Sequence, residues 1–247
     1  MTSISQIAEN TSVFILAAGR GERMRPLTDA LPKPLLTVNG QSLLEHHLKR
    51  LKNFGFKNIV INIDHLGEKI INAMGDGQHL GLNICYSDEQ ATGALETAGG
   101  IHKALSLLKS NSFIVINGDV WCNFDYTQLL SCTQKLATIV LVENPAHNPA
   151  GDFSLNSNEN SWSDAVAARK GEKSFTYSGI GIYQKKLFNN LNTGKHRLAP
   201  LLYQAAETKQ LGAIICKEEW FDIGTPERLE KINRLVQHRI DSEHNSK

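Results

Sequence analysis

The segment spanning residues 13–36 constrains the fold of this chain more than any other. It opens with four apolar residues, VFIL, and two alanines, a pattern typical of a buried strand in a parallel sheet. The chain continues as GRGERMRP, in which two glycines can bring backbone amides close to an anion and three arginines offer planar donors for phosphate oxygens. A strand that ends in such a loop predicts a polyphosphate site at the carboxyl edge of an open α/β sheet.

A solvated loop with scattered charges is the alternative interpretation of this segment. Residues 20–33 hold four cations and two anions, a net charge of only +2, so charge alone does not decide between the two. The order of the features favours the phosphate site, because Lys33 follows between two prolines that restrict its backbone. The loop is not a Walker A motif, and it is not a dinucleotide fingerprint, because Met24 occupies the place of the third glycine.

The composition is that of an ordinary globular protein, with 41% hydrophobic and 21% charged residues among 247. A net charge of +1 gives no field that would attract nucleic acid or an anionic membrane. No apolar run approaches the ~20 residues of a membrane helix, and the first residues lack the pattern of a signal peptide. Four cysteines without a C-x-x-C pair suit a reducing compartment. We therefore expect a cytoplasmic protein without nucleic-acid or membrane partners, either a monomer or a small homo-oligomer.

Strand and helix patterns alternate regularly as far as residue 142, which predicts an α/β fold with a doubly wound, mostly parallel Rossmann-like sheet. From residue 144 the chain becomes rich in Asn, Ser, Gly and charge, which predicts a small antiparallel insertion in residues 144–195. Residues 1–11 are expected to form a short, mobile N-terminal extension and residues 12–247 a single domain. A helix is predicted over residues 126–136, and Ser42 and Glu45 predict a capping box at the start of another helix.

Two aspartates are candidate ligands for a divalent cation. Asp119 follows an apolar strand, so it is expected at the same sheet edge as the arginine loop. Asp222 lies within the apolar sequence WFDIGT, where an acid is costly unless it is paired or metal-bound. The alternatives are that Asp119 caps the next turn and that Asp222 makes a structural hydrogen bond near Thr225.

These features together resemble a known family. LAAGRGERMRPLT followed by PKPLL is similar to the pattern L-A-A-G-x-G-T-R-x-x-P-L-T, then P-K-P, of the nucleotidyltransferases that activate sugar 1-phosphates. Glu22 stands where this family usually has threonine. The resemblance implies the nucleotide-diphospho-sugar transferase fold, a single nucleotidyltransferase domain in residues 12–247, and a sugar-binding part made largely by residues 144–195. It also implies Mg2+ as the cofactor.

The resemblance further implies roles for individual residues. Arg23 matches an arginine that contacts the triphosphate and the leaving pyrophosphate, and Lys33 matches a lysine that neutralises the reacting phosphates. Asp119 and Asp222 match the Mg2+ ligands, the second in a W-x-D-I/V-G-T context. The nucleotide is expected to contact Arg23 and Lys33 together with Ala17, Ala18, Gly19, Arg20, Gly21, Glu89 and Glu96.

Other segments resemble one subgroup of this family. NGDVW, VENPAHN, GDF, FTYSGI and LAPLL are similar to uridylyltransferases that use UTP and N-acetylmuramic acid 1-phosphate in peptidoglycan recycling. The expected sugar-binding residues are Asn117, Gly151, Asp152, Ser178 and Gly179. Asp152 after a glycine is also an ordinary turn residue, and Glu96 also suits the start of a helix.

Three alternatives remain open. Another sugar 1-phosphate or base, such as mannose with GTP or glucose with UTP, would use the same machinery. A glycosyltransferase that consumes nucleotide sugars typically has an Asp-x-Asp metal motif, but valine and tryptophan follow Asp119 here. A non-catalytic nucleotide-sugar-binding regulatory protein would be expected to have lost Arg23, Lys33 or one of the two aspartates, and this chain has them all.

Overall fold

The computed structural model describes residues 3–155, 167–168 and 173–245. The helices are α1 (Ile4–Asn10), α2 (Leu27–Ala30), α3 (Leu43–Asn53), α4 (Gly67–Met74), α5 (Glu96–Ala104), α6 (Leu198–Glu207) and α7 (Pro226–Asn245). The strands are β1 (Ser12–Leu16), β2 (Thr37–Val38), β3 (Gln41–Ser42), β4 (Asn58–Ile63), β5 (Asn83–Asp88), β6 (Ser112–Asn117), β7 (Val120–Cys122), β8 (Ala137–Val142), β9 (Phe153–Leu155), β10 (Ala167–Ala168), β11 (Ser174–Gln184), β12 (Leu211–Ile215) and β13 (Trp220–Asp222).

The first strand lies in the middle of the parallel part of the main sheet. β1 pairs in parallel with β4 on one side and with β6 on the other, and β5 continues the sheet beyond β4. Its side chains alternate between two buried layers, because Val13 and Ile15 pack in one core cluster while Phe14 packs in the other. Burial on both faces explains the continuous apolar run of the sequence. The predicted buried strand is therefore confirmed.

The antiparallel part of the sheet is built around β11. This 11-residue strand pairs with β6 on one side and with β8 on the other, both in an antiparallel sense. β9 pairs with the first residues of β11, and β12 pairs in parallel with the outer side of β8. The regular alternation of the sequence placed β8 next in a parallel series, but β11 is inserted between β6 and β8 because a long strand from the insertion can bond to both.

A short two-stranded sheet joins the two candidate aspartates. β7 and β13 are antiparallel, with Val120 opposite Asp222, and the Ile223 N–H donates to the Asp119 carbonyl at 2.9 Å. Two segments that lie about 100 positions apart in the sequence are therefore neighbours in space. This small sheet, rather than the main sheet, fixes the relative position of Asp119 and Asp222.

Several local predictions can be compared with the elements directly. The capping box of α3 is confirmed, because Ser42 accepts from the Glu45 N–H and the Glu45 carboxylate accepts from the Ser42 N–H. The expectation of a mobile extension over residues 1–11 differs from the structure, in which residues 4–10 form α1 with Ala8 fully buried. Residues 126–131 form a 3-10 helix rather than the longer helix expected over 126–136. Among the described residues, no helix is both long and apolar enough to cross a membrane.

Candidate active site

The loop after β1 borders a cavity of about 470 Å3 at the carboxyl edge of the parallel strands. We call it the loop cavity. Ala17, Ala18 and Gly19 line its wall consecutively. Because these residues carry a methyl group or no side chain, a ligand can approach their backbone closely. Gly21 turns the chain away with a φ of +63°, and a Cβ added to it would lie 3.0 Å from Thr28 Cγ2. A glycine is therefore required at that turn.

Lys33 projects into the loop cavity from a short 3-10 helix, Lys33–Leu35. The prolines on both sides hold this turn, in which the Leu35 N–H donates to the Pro32 carbonyl at 2.8 Å. The lysine is only 8% exposed, and its Nζ lies 2.5 Å from Oδ2 of Asp119. A buried cation held by one carboxylate at the cavity wall can neutralise a further anion that enters.

Asp222 follows Asp119 across the small sheet, and its carboxylate contacts the guanidinium of Arg228 and the imidazole of His147. Its Oδ2 accepts from Nη1 of Arg228 at 2.7 Å and lies 3.3 Å from Nε2 of His147. The side chains of Asp119 and Asp222 are 31% and 23% exposed, so both can still be reached by a ligand. The alternative that Asp222 bonds near Thr225 is replaced by these contacts with Arg228 and His147.

The chemistry of the two aspartates fits a hard divalent cation. Mg2+ prefers oxygen ligands and is commonly bound through one or two carboxylates together with substrate phosphates and water. Within residues 3–155, 167–168 and 173–245, no group of three or more His, Cys, Asp or Glu side chains is arranged to hold a metal. A cation at Asp119 and Asp222 would therefore take its remaining ligands from phosphate oxygens and water.

The remaining residues of the arginine loop lie outside the lining of the loop cavity. Arg23 is exposed on the 3-10 helix Glu22–Met24, and its Nη2 lies 3.5 Å from the position that a Cβ on Gly224 would occupy. Arg23 therefore lies next to Gly224, two residues after the end of β13. Arg20 is also exposed and, like Gly21, does not line the cavity.

Glu89 is buried in a hydrogen-bonded network at the wall of the loop cavity. Its Oε1 accepts from Nδ2 of Asn62 at 2.7 Å, and its Oε2 accepts from the Leu95 N–H at 2.8 Å. Asn62 in turn accepts the Ala17 N–H at 2.6 Å through Oδ1. Burial raises the pKa of Glu89, opposed by the bond from the Leu95 N–H. Both carboxylate oxygens hold protein groups, so Glu89 connects the phosphate loop to the segment before α5.

A second cavity of about 290 Å3 adjoins the first, between α5, α6 and the antiparallel insertion. We call it the insertion cavity. The two cavities share Glu96, Thr97 and Asn117 as lining residues. Glu96 begins α5 with a φ of +60°, which is uncommon for a residue other than glycine. Asn117 stands at the end of β6 and faces both cavities.

Asp152 lines the insertion cavity at the start of β9. Its Oδ2 accepts from the Tyr177 N–H at 2.8 Å, and its Oδ1 accepts from Nδ2 of Asn148 at 3.2 Å. Gly151 precedes it with a φ of +64°, and a Cβ there would lie 2.7 Å from Oδ1 of Asn144. Gly151 therefore shapes the turn that presents Asp152.

Ser178 and Gly179 support the insertion cavity from behind. Ser178 is 1% exposed, lines neither cavity, and accepts the indole N–H of Trp220 at its carbonyl at 2.9 Å. Gly179 has a φ of +80°, and a Cβ added to it would lie 2.6 Å from the side chain of Asn117. These residues occupy the irregular part of β11, where the register with β8 shifts. The close approach of Gly179 predicts that it sets the orientation of Asn117.

The sequence analysis did not identify several residues that line or hold the site. Asn62 carried a signal, because it is a polar residue near the end of an otherwise apolar strand. Arg228 and His147 carried none, because their contacts with Asp222 connect distant parts of the chain. Lys195 and Arg197 line the loop cavity and the insertion cavity, respectively.

Comparison with known proteins identifies relatives over nearly the whole chain. The nucleotidyl transferase family model matches residues 12–239. The chain is 45% identical over 229 residues to the N-acetylmuramate alpha-1-phosphate uridylyltransferase of Neisseria meningitidis serogroup B, a match that covers 90% of this chain and 97% of that protein. It is 29% identical to the protein of the same name from Caulobacter vibrioides, over 87% of this chain and 92% of that protein.

A solved structure shares the fold of this chain. HddC from Yersinia pseudotuberculosis, crystallised with GMP-PN, superposes with a TM-score of 0.74 at 23% identity, covering 92% of this chain and 99% of that one. The likeness confirms the predicted α/β fold with its mostly parallel central sheet.

Proposed function

The chain belongs to the nucleotidyl transferase family, and we propose that it transfers a uridylyl group from UTP to N-acetylmuramic acid 1-phosphate, giving UDP-N-acetylmuramic acid and pyrophosphate. The observation that carries this proposal is the 45% identity to the Neisseria enzyme over 97% of that enzyme's length. The chain lacks no large segment of that relative. The base and the sugar are inferred from this likeness, whereas the reaction type is also supported by the geometry of the site.

The proposed reaction requires several anions to be brought together. A phosphate oxygen of the sugar 1-phosphate attacks the α-phosphorus of UTP, and pyrophosphate leaves, so the protein must align the reactants and offset their repulsion. Lys33 is the buried cation at the loop cavity, and we assign to it neutralisation of the α-phosphate and the incoming phosphate. We assign the leaving pyrophosphate to Arg23 and neighbouring Arg20, whose exposed side chains can close over it.

We propose that Asp119 and Asp222 hold Mg2+. When bound, the ion supplies charge neutralisation and polarises phosphate oxygens. Lys33 contacts Asp119 through Oδ2, and Arg228 and His147 both contact Asp222 through Oδ2. These contacts restrain the orientation of the two carboxylates, and Asp119 lines the loop cavity.

The two adjoining cavities suit the two substrates. The loop cavity would take the nucleotide, with Ala17, Ala18 and Gly19 on its phosphate side and Glu89 and Glu96 on its far side. Gly21 would act through the turn that it makes after this run. The insertion cavity would take the sugar, with Asp152 as an acceptor for hydroxyl groups. Asn117 lies at the junction, where the sugar phosphate would meet the α-phosphate. Gly151, Ser178 and Gly179 shape the sugar pocket from behind.

The product would serve as an activated precursor of the bacterial cell wall, so the proposed reaction recovers a peptidoglycan sugar. We place the enzyme in the cytoplasm, where nucleoside triphosphates and sugar phosphates are available. We propose a monomer or a small homo-oligomer, as expected from the sequence.

The test is pyrophosphate release in the presence of Mg2+ and UTP with a panel of sugar 1-phosphates. The panel contains N-acetylmuramate, N-acetylglucosamine, glucose and mannose, and GTP is tried in parallel. We expect the highest kcat/KM with UTP and N-acetylmuramic acid 1-phosphate. A preference for another pair would replace the proposed substrates but retain the reaction, and no release with any pair would indicate a binding protein.

A further inference from the structure

We propose that Arg197 binds the carboxylate that distinguishes N-acetylmuramic acid 1-phosphate from N-acetylglucosamine 1-phosphate. The inference rests on the proposed function, because it assigns a residue to one group of the proposed substrate. The two sugars differ by a lactyl ether that ends in a carboxylate, which is ionised at neutral pH. An enzyme that prefers the acidic sugar needs a cation within reach of this group.

Arg197 is the single cationic side chain among the described residues that line the insertion cavity. The other two charged side chains in this lining, Glu96 and Asp152, are both anionic. Without Arg197, a carboxylate in the cavity would meet only like charges, which disfavours binding. The cavity therefore accepts an acidic sugar only if Arg197 pairs with it.

Asp152 serves a different group of the sugar. Its two carboxylate oxygens are fixed by the Tyr177 N–H and by Asn148, so the side chain is a rigid acceptor. An acceptor suits the hydroxyl groups that both sugars share. Discrimination between the two sugars must therefore come from another residue.

Among the residues that the structure describes, the Arg197 side chain makes one weak ion pair. Its Nε lies 3.9 Å from Oε1 of Glu96, and the two side chains are 79% and 49% exposed. An exposed pair at this distance contributes little to stability. The guanidinium has five donors in a planar arrangement, so it can receive a carboxylate through two parallel hydrogen bonds while it remains near Glu96.

The backbone at His196 holds this part of the chain against α5. The His196 carbonyl accepts from the N–H groups of Ala98 and Gly99, at 2.9 and 3.1 Å, and its own N–H donates to the Leu95 carbonyl at 3.1 Å. Three hydrogen bonds to one residue fix the segment at the start of α5, so the position of the next residue, Arg197, is also fixed.

Gly99 allows the segment to approach α5 this closely. A Cβ added to Gly99 would collide with the carbonyl oxygen of Gly194. The result is that residues on either side of His196 reach different cavities, Lys195 the loop cavity and Arg197 the insertion cavity. Lys195 is therefore a matched control, a cation from the same segment that faces the other substrate.

The experiment measures kcat/KM for both sugar 1-phosphates, with UTP and Mg2+, in the wild-type enzyme and in Arg197→Ala, Arg197→Lys and Lys195→Ala. In Arg197→Ala we expect a loss of about 10- to 100-fold with the acidic sugar, as for a hydrogen-bonded charged pair, and nearly unchanged activity with N-acetylglucosamine 1-phosphate. Arg197→Lys should recover part of the loss. Lys195→Ala should lower kcat/KM for both sugars by the same factor.

A second measurement separates binding of the carboxylate from a structural role. Raising the ionic strength should raise the KM of the wild-type enzyme for the acidic sugar more than that of Arg197→Ala, because salt screens an exposed charge pair. A preference for the acidic sugar that survives in Arg197→Ala, or an equal loss with both sugars, would overturn the inference while leaving the proposed function intact. A wild-type enzyme that does not prefer the acidic sugar would instead overturn the proposed function, and this inference with it.

Discussion

The loop cavity and the insertion cavity share three lining residues, but their other walls are built differently. One includes a run of consecutive residues, and the other combines residues from separate elements. One side of the loop cavity is a run of four consecutive residues, from Leu16 to Gly19, that ends in two alanines and a glycine. The insertion cavity is lined by residues from separate elements, among them Asp152, Tyr177 and Arg197. A wall of small residues lets a ligand approach the backbone closely, which suits a group such as phosphate. A surface made of scattered side chains can change one residue at a time, which suits sugar selectivity.

The largest effect is expected from Asp119 and Asp222, because the ion that they would hold serves both substrates in this proposal. Asp119→Ala and Asp222→Ala should each nearly abolish turnover with any sugar 1-phosphate, since either change removes a carboxylate that would hold the metal. Pyrophosphate release measured across a range of Mg2+ concentrations checks this, with thermal unfolding as the folding control. Near-normal turnover in either folded variant would show that the aspartate is structural.

Lys33 tests the loop cavity alone. Lys33→Ala should lower kcat/KM by roughly 10²–10³-fold, the usual loss when one charge-stabilising donor is removed from a reacting centre. Arg25 is the matched control, a cation of the same loop that is 66% exposed in its side chain and paired with Asp29 at 3.3 Å. Arg25→Ala should have a much smaller effect. Equal effects of the two substitutions would mean that the loop acts through its overall charge and not through Lys33.

Asp152 tests the insertion cavity alone. Asp152→Ala should raise the KM for the sugar phosphate by about tenfold, the cost of a lost hydrogen bond to a charged group, and change the KM for UTP far less. Asp152→Asn keeps one acceptor for the Tyr177 N–H and is therefore a control for local structure. If both KM values rose together in Asp152→Ala, the two cavities would not be separable in the way proposed.

The smallest effect on activity is expected from His47, which packs beside Val120 under β7 and so supports the edge that the cavities share. Burial lowers the pKa of His47 from 6.5 to about 4. Because the unfolded chain takes up a proton below pH 6.5 while the folded protein does not until about pH 4, stability falls across this window as the pH is lowered. The contribution is roughly 3 kcal/mol for a shift of this size.

Chemical denaturation at a series of pH values checks the role of His47. The free energy of unfolding of wild-type protein should fall more steeply between pH 6.5 and 4 than that of His47→Met, which has no titrating group at this position. Parallel curves for the two proteins would show that His47 does not contribute to the acid sensitivity.

The sequence was sufficient for those parts of the site that lie close together along the chain. The strand before the phosphate loop, the turn at Lys33 between its two prolines, and the Ser42 capping box all depend on neighbours within a few residues. Hydrophobic pattern and local hydrogen bonding determine such elements, so they can be predicted without knowledge of the rest of the fold. The position of Asp119 just after an apolar strand was predicted from the hydrophobic pattern in the same way.

The sequence was not sufficient where side chains meet across long separations. The contact of Glu89 with the nucleotide stays a prediction, but the sequence did not show that its two carboxylate oxygens accept hydrogen bonds from Asn62 and from the Leu95 N–H. The network arises because β1, β4 and β5 end at one sheet edge. The pattern of each strand predicts that it is buried, but it does not specify which polar group will face another.

By itself, the sequence determined the parallel core strands, the glycine-containing loop after β1 and the lysine between two prolines, because each depends on short-range sterics and on the burial of local apolar runs. Only the tertiary structure decided that β11 separates β6 from β8, that β13 brings Asp222 beside Asp119, and that His196 carries Lys195 and Arg197 to different cavities. These arrangements depend on backbone hydrogen bonds between segments far apart in the chain, and many pairings of such segments satisfy the same local pattern. Packing of the complete fold selects one of them.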